Sequence, residues 1–268
     1  MSEKKFRKYI LEFGTAHGRQ GLPWRATKNP YHILVSEIML QQTQVDRVIP
    51  KYRAFIKQFP TMRALSTASL RDVLSVWQGL GYNRRAKMLH NTAREIQNTY
   101  GGRIPKNAQE LKKLPGIGDY TASAICAFAY NQDVVLIETN IRTVIIHHFF
   151  TAQGSVSDKE IKEVLTRLLP SGKASAWYAA LMDYGAVLKK EGSKAHVHAK
   201  VYRPQSRFKG SAREIRGAII RALLKESQTA HSLKKQFNKT RHKDVDTQIL
   251  ALLREGLVTR DRHRLGLF

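Results

Sequence analysis

The sequence predicts an all-α protein that ends in a small β-hairpin. Three observations carry this. Apolar residues recur at helical spacing through most of the 268 residues. Alternating apolar and polar runs are almost absent before residue 250. The hydrophobic fraction, 42%, is ordinary for a chain that builds a real core. About ten helices are expected.

Ile33, Ile38 and Leu40, then Val45, Val48 and Ile49, fit two short helices, and Val73, Leu74 and Trp77 fit another. Ala122, Ile125, Ala129 and Leu136 belong to a small-residue region that should pack deeply. Residues 189–210 are basic, poor in large aliphatics and punctuated by Gly and Pro, and read as a linker or DNA-tracking loop. A C-terminal unit then begins. Ser211-Ala-Arg-Glu214 has the form of a capping box, in which each partner satisfies the other's free N–H. Ile215, Ile219, Ala222 and Leu223 give the helix after it one apolar face. A short helix near His231–Phe237 and a third ending at about Glu255, stopped by Gly256, follow. Two apolar triplets, Leu257–Thr259 and Leu265–Leu267, flank Arg260–Arg264 as a hairpin. Three helices and a basic hairpin read as a winged helix-turn-helix over residues 211–268.

The formal charge is +25, from 46 Lys and Arg against 21 Asp and Glu. Such a field gathers polyanions, so nucleic acid held through its phosphates is the expected partner. Arg260, Arg262 and Arg264 put the same sign on the hairpin; a protein-docking surface is the alternative reading of that unit. The single cysteine, Cys126, excludes an internal disulfide and any site needing several thiolates. His196 and His198 lack a third ligand nearby and read as polar loop residues, so no metal site is expected. No signal-like segment and no membrane-length apolar run is found. The expectation is a monomeric, cytoplasmic, nucleoid-associated prokaryotic protein with no membrane partner.

Leu114-Pro-Gly-Ile-Gly118 joins two apolar helical segments. Gly116 and Gly118 allow a tight turn, and the helix after them offers free N–H groups and a positive dipole end to a phosphate. With Asp119-Tyr-Thr-Ala-Ser-Ala-Ile125 it resembles the helix-hairpin-helix motif of the endonuclease III and MutY superfamily. Leu22-Pro-Trp-Arg25, Asn29-Pro-Tyr31, Val35–Val45, Trp77–Tyr82, Ile137–Asn140 with Arg142, and Met182–Ala186 resemble the MutY pattern in the same order. The resemblance covers about residues 5–188. It implies a glycosylase domain over 1–188, with residues 26–130 as one helical subdomain, 1–25 plus 131–188 as the other, and the active site in the cleft between them.

Cleaving a base from deoxyribose passes through an oxocarbenium-like state, which two carboxyl groups in different protonation states serve well. Glu37 lies in an apolar segment, where burial raises its pKa. Glu138 precedes a helix start, which favours its anion. Read alone, Glu37 fits a buried glutamate paired with an arginine and Glu138 a helix-start carboxylate. The resemblance makes Glu37 the acid that protonates adenine N7 and Glu138 the group that stabilises or attacks the sugar cation, although the family carries Asp there. Asn140 matches the family and also suits a helix N-cap. Tyr120 stands where strand-cleaving relatives carry the lysine that forms a Schiff base, so hydrolysis alone is implied. By the same resemblance Arg25, Leu40 and Thr43 line the adenine pocket, and Gln42 and Tyr82 wedge into the gap left by the flipped base.

Two departures from the family stand out. No cysteine follows Met182–Ala186, so no cofactor is expected and the iron–sulfur cluster is absent; Lys189 and Lys190 are candidates for phosphate contact in its place. The Nudix-like domain that reads 8-oxoguanine is replaced by the expected winged helix. Excision of adenine mispaired with 8-oxoguanine or guanine in duplex DNA is the leading expectation. A thymine or uracil glycosylase at guanine mispairs, or a non-catalytic DNA-binding protein, are the alternatives.

Overall fold

The computed structural model describes residues 2–150 and 154–267; Met1 and Phe268, at the ends of the expected first and last domains, lie outside them. The helices are α1 (Glu3–His17), α2 (Pro30–Leu40), α3 (Val45–Gln58), α4 (Met62–Thr67), α5 (Leu70–Trp77), α6 (Arg84–Tyr100), α7 (Ala108–Lys112) and α8 (Asp119–Tyr130). Then come α9 (Thr139–Phe149), α10 (Asp158–Leu168), α11 (Ala174–Lys190) and, nearer the C-terminus, α12 (Ala212–Lys225), α13 (Ala230–Lys234) and α14 (His242–Arg254). Three short strands are β1 (Gln228–Thr229), β2 (Thr259–Asp261) and β3 (Arg264–Gly266). The largely α-helical expectation holds. No helix among the described residues is long and apolar enough to cross a membrane.

The chain divides into two compact units along lines different from the expected domains. The first holds Met1–Glu37, Pro105–Lys113 and Ile117–Pro204. Its core is built from α1, α8, α9, α10 and α11, with Phe6, Ile141, Ile145, Trp177, Tyr178 and Leu181 fully buried. Phe6 meets Phe149 and Trp177 edge-on. Residues 26–37 and 117–130 belong here, not with the helices that follow residue 37. The cause is α8, whose small face at Ala124 and Ala127 seats it in this core. Asn131, the left-handed cap of α8, ties that helix to the start of α11 through Gly172 O and Ser175 N.

The second unit holds Ile38–Ile104, Leu114–Gly116 and Gln205–Phe268. Val48, Phe55, Leu65, Val73, Trp77, Leu89 and Ile96 form the core of α3–α6. Ile215, Ile219, Leu223, Leu233, Val245, Ile249 and Leu252 form that of α12–α14. The sheet order is β1-β3-β2, both pairs antiparallel. The strand β1 was not expected, because two residues are too few to show alternation. The C-terminal segment is fastened to the other helices by cations that satisfy free helix-end carbonyls. Arg71 donates to Leu223 O and Leu224 O in the last turn of α12, and Lys87 to Glu255 O just after α14. The expected linker over 189–210 is therefore no simple spacer. Its first part is held by a parallel bridge between Val156 and Ala199, and the division falls after Pro204.

The capping box expected at Ser211 does not form. Ser211 Oγ donates to Phe208 O, and Glu214 accepts from Gly210 N and Arg241 instead. A complete capping box occurs at Ser157 and Glu160, starting α10.

Candidate active site

Glu37 sits in the last turn of α2, whose sequence is apolar almost all round; Val35, Ser36, Ile38 and Met39 beside it are all buried. Its side chain is only 5% exposed. Tyr120, in the first turn of α8, donates its phenol proton to Glu37 Oε2 over 2.7 Å. Burial pushes the Glu37 carboxyl up to about 7; the Tyr120 hydrogen bond and Arg25 pull it down and Glu138 adds to the rise. Burial and the two nearby carboxyls hold the Tyr120 phenol well above its usual range, so it stays protonated as a donor. With Oε2 engaged as an acceptor, the proton of the neutral Glu37 acid belongs on Oε1, where it is available for transfer.

Glu138 is the N-cap of α9: its Oε1 accepts from Ile141 N at 2.9 Å. Asn140 was expected to suit that cap, but the helix starts one residue before it; Asn140 donates through Nδ2 to Glu138 Oε2 at 3.2 Å. Burial raises the Glu138 pKa, while the N–H groups of Asn140 and Ile141 and the charges of Lys189 and Arg142 oppose the rise. The helix start thus does favour the anion, as read from sequence, but burial outweighs it. Lys189 is partly buried within this field; burial lowers its pKa and Glu138 raises it. It faces a carboxylate, while Lys190 is exposed.

Arg25 is committed to Asp183 rather than left to line a pocket alone. Its guanidinium bonds both carboxylate oxygens and Ala179 O, and Arg19 adds Nε and backbone N contacts at 2.5 and 2.9 Å. Burial alone would raise the Asp183 pKa; the bonds from Arg25 and Arg19 offset it and hold Asp183 below its usual value. Glu37, Tyr120, Glu138, Asn140, Arg25 and Lys189 all lie in the first unit.

Leu40, Gln42, Thr43, Tyr82 and Gly116 lie in the second unit. Gln42 (φ +53°) and Tyr82 (φ +49°) are two of four non-glycine residues in the left-handed region among the described residues. The others are Asn131, a helix cap, and Arg262, at the hairpin turn. Left-handed backbone at Tyr costs energy and persists where the surroundings enforce it. The enforcing residue is Arg85. It donates to Ile38 O, Met39 O and Gln41 O at the end of α2, to Thr43 Oγ1 at 3.0 Å, and to Leu80 O and Gly81 O, and its guanidinium lies over the Tyr82 ring. Leu40, which ends α2, is half-buried.

In the hairpin between α7 and α8, only Gly116 needs to be glycine by conformation: its φ is +75° and a Cβ there would come within 2.6 Å of Met88 Cβ. Gly118 is extended and open on its Cβ side, so its smallness leaves the N-terminus of α8 uncovered rather than serving the turn. Arg260, Arg262 and Arg264 are exposed on the hairpin, with Arg264 also donating to Ser227 O.

A family model for HhH-GPD superfamily base excision DNA repair proteins matches residues 35–171, a span that holds Glu37, Tyr120, Glu138 and Asn140. The chain belongs to the HhH-GPD superfamily. It is 38% identical over 189 residues to an adenine DNA glycosylase of Buchnera aphidicola subsp. Baizongia pistaciae, covering 70% of this chain and 54% of the relative. It is 36% identical over 230 residues to an adenine DNA glycosylase of Mycolicibacterium smegmatis, covering 80% and 78%. The chain thus spans about half the length of the first relative and more of the second. The solved structure of a thermostable thymine-DNA glycosylase superposes with a TM-score of 0.62 at 27% identity, covering 75% of this chain and 96% of that one.

In this HhH-GPD protein Asp183 and Gly185 fall within the Met182–Ala186 motif, but neither has a role of its own in the sequence-based expectation. Asp183 is a carboxylate in a helix whose neighbours are buried, a signal that it must be paired. Gly185 faces the start of α9, and a Cβ there would meet Asn140 O at 2.3 Å. Gly185→Ala is expected to displace the Asn140–Glu138 cap, destabilising the fold by about 1–3 kcal/mol. Thermal unfolding checks the cost, and a melting temperature equal to wild type would contradict it. An iron–sulfur cluster finds no fit after α11: that segment carries no cysteine, and no group of three His, Cys, Asp or Glu among the described residues is placed to hold a metal.

Proposed function

We propose that this protein is a monofunctional adenine DNA glycosylase that hydrolyses the N-glycosidic bond of adenine mispaired with guanine or 8-oxoguanine in duplex DNA. The observation that carries the reading is the buried Glu37 acid, near-neutral in pKa and fixed by Tyr120, with Glu138 held beside it in the same electrostatic field. The names of the two bacterial relatives supply the base. Glu37 gives its Oε1 proton to the leaving adenine as the bond to C1′ breaks and its electron pair passes to the base. Glu138, oriented by Ile141 N–H and Asn140, stabilises the cationic sugar as a carboxylate. Water then adds to C1′, its proton returns to the carboxylates, and an abasic site remains. Tyr120 offers no amine for a Schiff base, so the strand stays intact.

The reading includes no cofactor, a cytoplasmic setting on chromosomal DNA, and action as a monomer. Exposed Arg260, Arg262 and Lys190 are assigned to phosphate contact. The likeness to a thymine-DNA glycosylase supports a second reading, thymine removal at guanine mispairs. A panel of duplexes with A, T or U opposite G or 8-oxoguanine decides between them. Alkali-dependent cleavage at A alone, without borohydride trapping of a protein–DNA adduct, is expected. Release of T or U establishes the second reading, and a trapped adduct contradicts monofunctional hydrolysis.

A further inference from the structure

Glu138 is held in place by neutral donors. Its Oε1 accepts from Ile141 N and its Oε2 from Asn140 Nδ2, at 2.9 and 3.2 Å. These bonds fix the carboxyl but bring no charge to it. The group is buried and shares its field with a second carboxyl, Glu37. A carboxyl in that setting takes up a proton unless a cation opposes it.

The arginines that act on this group of side chains are engaged by other acids. Arg25 and Arg19 share Asp183. Arg142 holds Asp158 through two bonds, at 2.8 and 2.7 Å. Lys189 differs from them. It is half-buried, yet its ammonium makes no hydrogen bond or direct ion pair among the described residues. Its place follows from α11. Gly185, four residues earlier, faces the start of α9 so closely that a Cβ there would lie 2.3 Å from Asn140 O and 2.8 Å from Asn140 Cβ. Residues four apart share a helix face, so Lys189 continues the face that meets the cap of α9. Long helical side chains lean back toward the N-terminus of their helix, which carries this one toward Gly185 and the cap.

The other groups around the lysine do not replace it. His196 lies on the 3-10 turn Ala195–His198, and its Nδ1 is buried without a hydrogen-bond partner. Burial and the Lys189 charge lower the His196 pKa, so the ring is neutral near neutral pH. From α2 and α8, Glu37 and Tyr120 bring acids rather than cations. Lys189 and Glu138 each favour the charged form of the other. We propose that Lys189 is a positioning residue for this site: its ammonium, set against the cap of α9, keeps Glu138 in the carboxylate form that a sugar cation requires. The proposal rests on the glycosylase reading for what the carboxylate does, and its test reads the carboxylate itself as well as excision.

The experiment compares wild type, Lys189→Arg and Lys189→Met. Protein labelled with carbon-13 at its glutamate carboxyls is titrated by NMR, the Glu138 signal being the one missing from Glu138→Gln. The Glu138 midpoint should move up in Lys189→Met, because a neutral side chain no longer favours the anion, and stay near wild type in Lys189→Arg. Single-turnover excision at saturating enzyme should follow. Lys189→Met should lose about tenfold near pH 5.5, a loss that shrinks toward pH 8, while Lys189→Arg tracks wild type. A Glu138 midpoint that does not move in Lys189→Met overturns the proposal; weaker duplex binding in that case makes the lysine a phosphate contact. A midpoint that moves equally in Lys189→Arg also overturns it, since packing rather than charge would then be responsible. A midpoint that moves as expected, together with an inactive mispair panel, leaves the hold of Lys189 on Glu138 standing and removes the adenine glycosylase reading.

Discussion

Glu37→Gln is expected to reduce single-turnover base release by about 10³-fold or more, while affinity for mispaired duplex stays close to wild type. The amide matches the carboxyl in shape and its oxygen still accepts the Tyr120 phenol, so the apex of the site keeps its packing. What is lost is the proton. Glu37 is buried among Val35, Ile38 and Met39, which is why its acid form is populated near neutrality, and an amide has no proton to give in that range. A gel-shift titration and a single-turnover cleavage assay on the same preparation should therefore diverge. Full activity in the variant would remove Glu37 from the mechanism.

The second large effect is expected at Glu138. Glu138→Gln keeps an oxygen that can accept from Ile141 N–H, so α9 retains its cap; only the bond from Asn140 Nδ2 is lost, and the melting temperature falls by no more than a few degrees. On the proposed mechanism the charge that stabilises the sugar cation disappears, and excision should fall by about 10² to 10³-fold. The half-buried Lys189 then loses the carboxylate that faces it, so its own pKa should drop further. Comparing melting temperature with single-turnover rate separates the two roles. A variant that melts early and loses activity in proportion would make Glu138 a helix cap and nothing more.

How much of this was readable beforehand depends on the range of each interaction. Helices such as α3, α5 and α12 were legible because their apolar spacing is local. The Glu37–Tyr120 pair was not legible from spacing, since its members are 83 positions apart; only the resemblance of two separate motifs brought both forward. Asp183 and Arg85 escaped because their roles are set by distant partners. One anchors Arg25 and Arg19, and the other gathers the carbonyls that end α2. Capping errors had a different cause. Asn140 has the stronger intrinsic preference for an N-cap, but the backbone turns helical at Thr139 and gives the position to Glu138. At Ser211 the pattern of a capping box was present, yet Arg241 and Gly210 N–H took the glutamate. The compact units and the expected subdomains part at α8, whose small residues pack into the core of the first unit; composition does not say which core takes such a helix.

On the proposed mechanism burial keeps Glu37 protonated until it meets the leaving base. The pH dependence of single-turnover excision measures this most directly. The acid form is active, so the rate should fall as pH rises through about 7, by about tenfold per unit beyond it. On the acid side the rate should fall again as Glu138, raised above its usual value, takes up a proton. An alkaline limb near 7 that vanishes from the residual activity of Glu37→Gln is the predicted result. A wild-type rate that stays level from pH 6 to 9, or the same alkaline limb in Glu37→Gln, would contradict it.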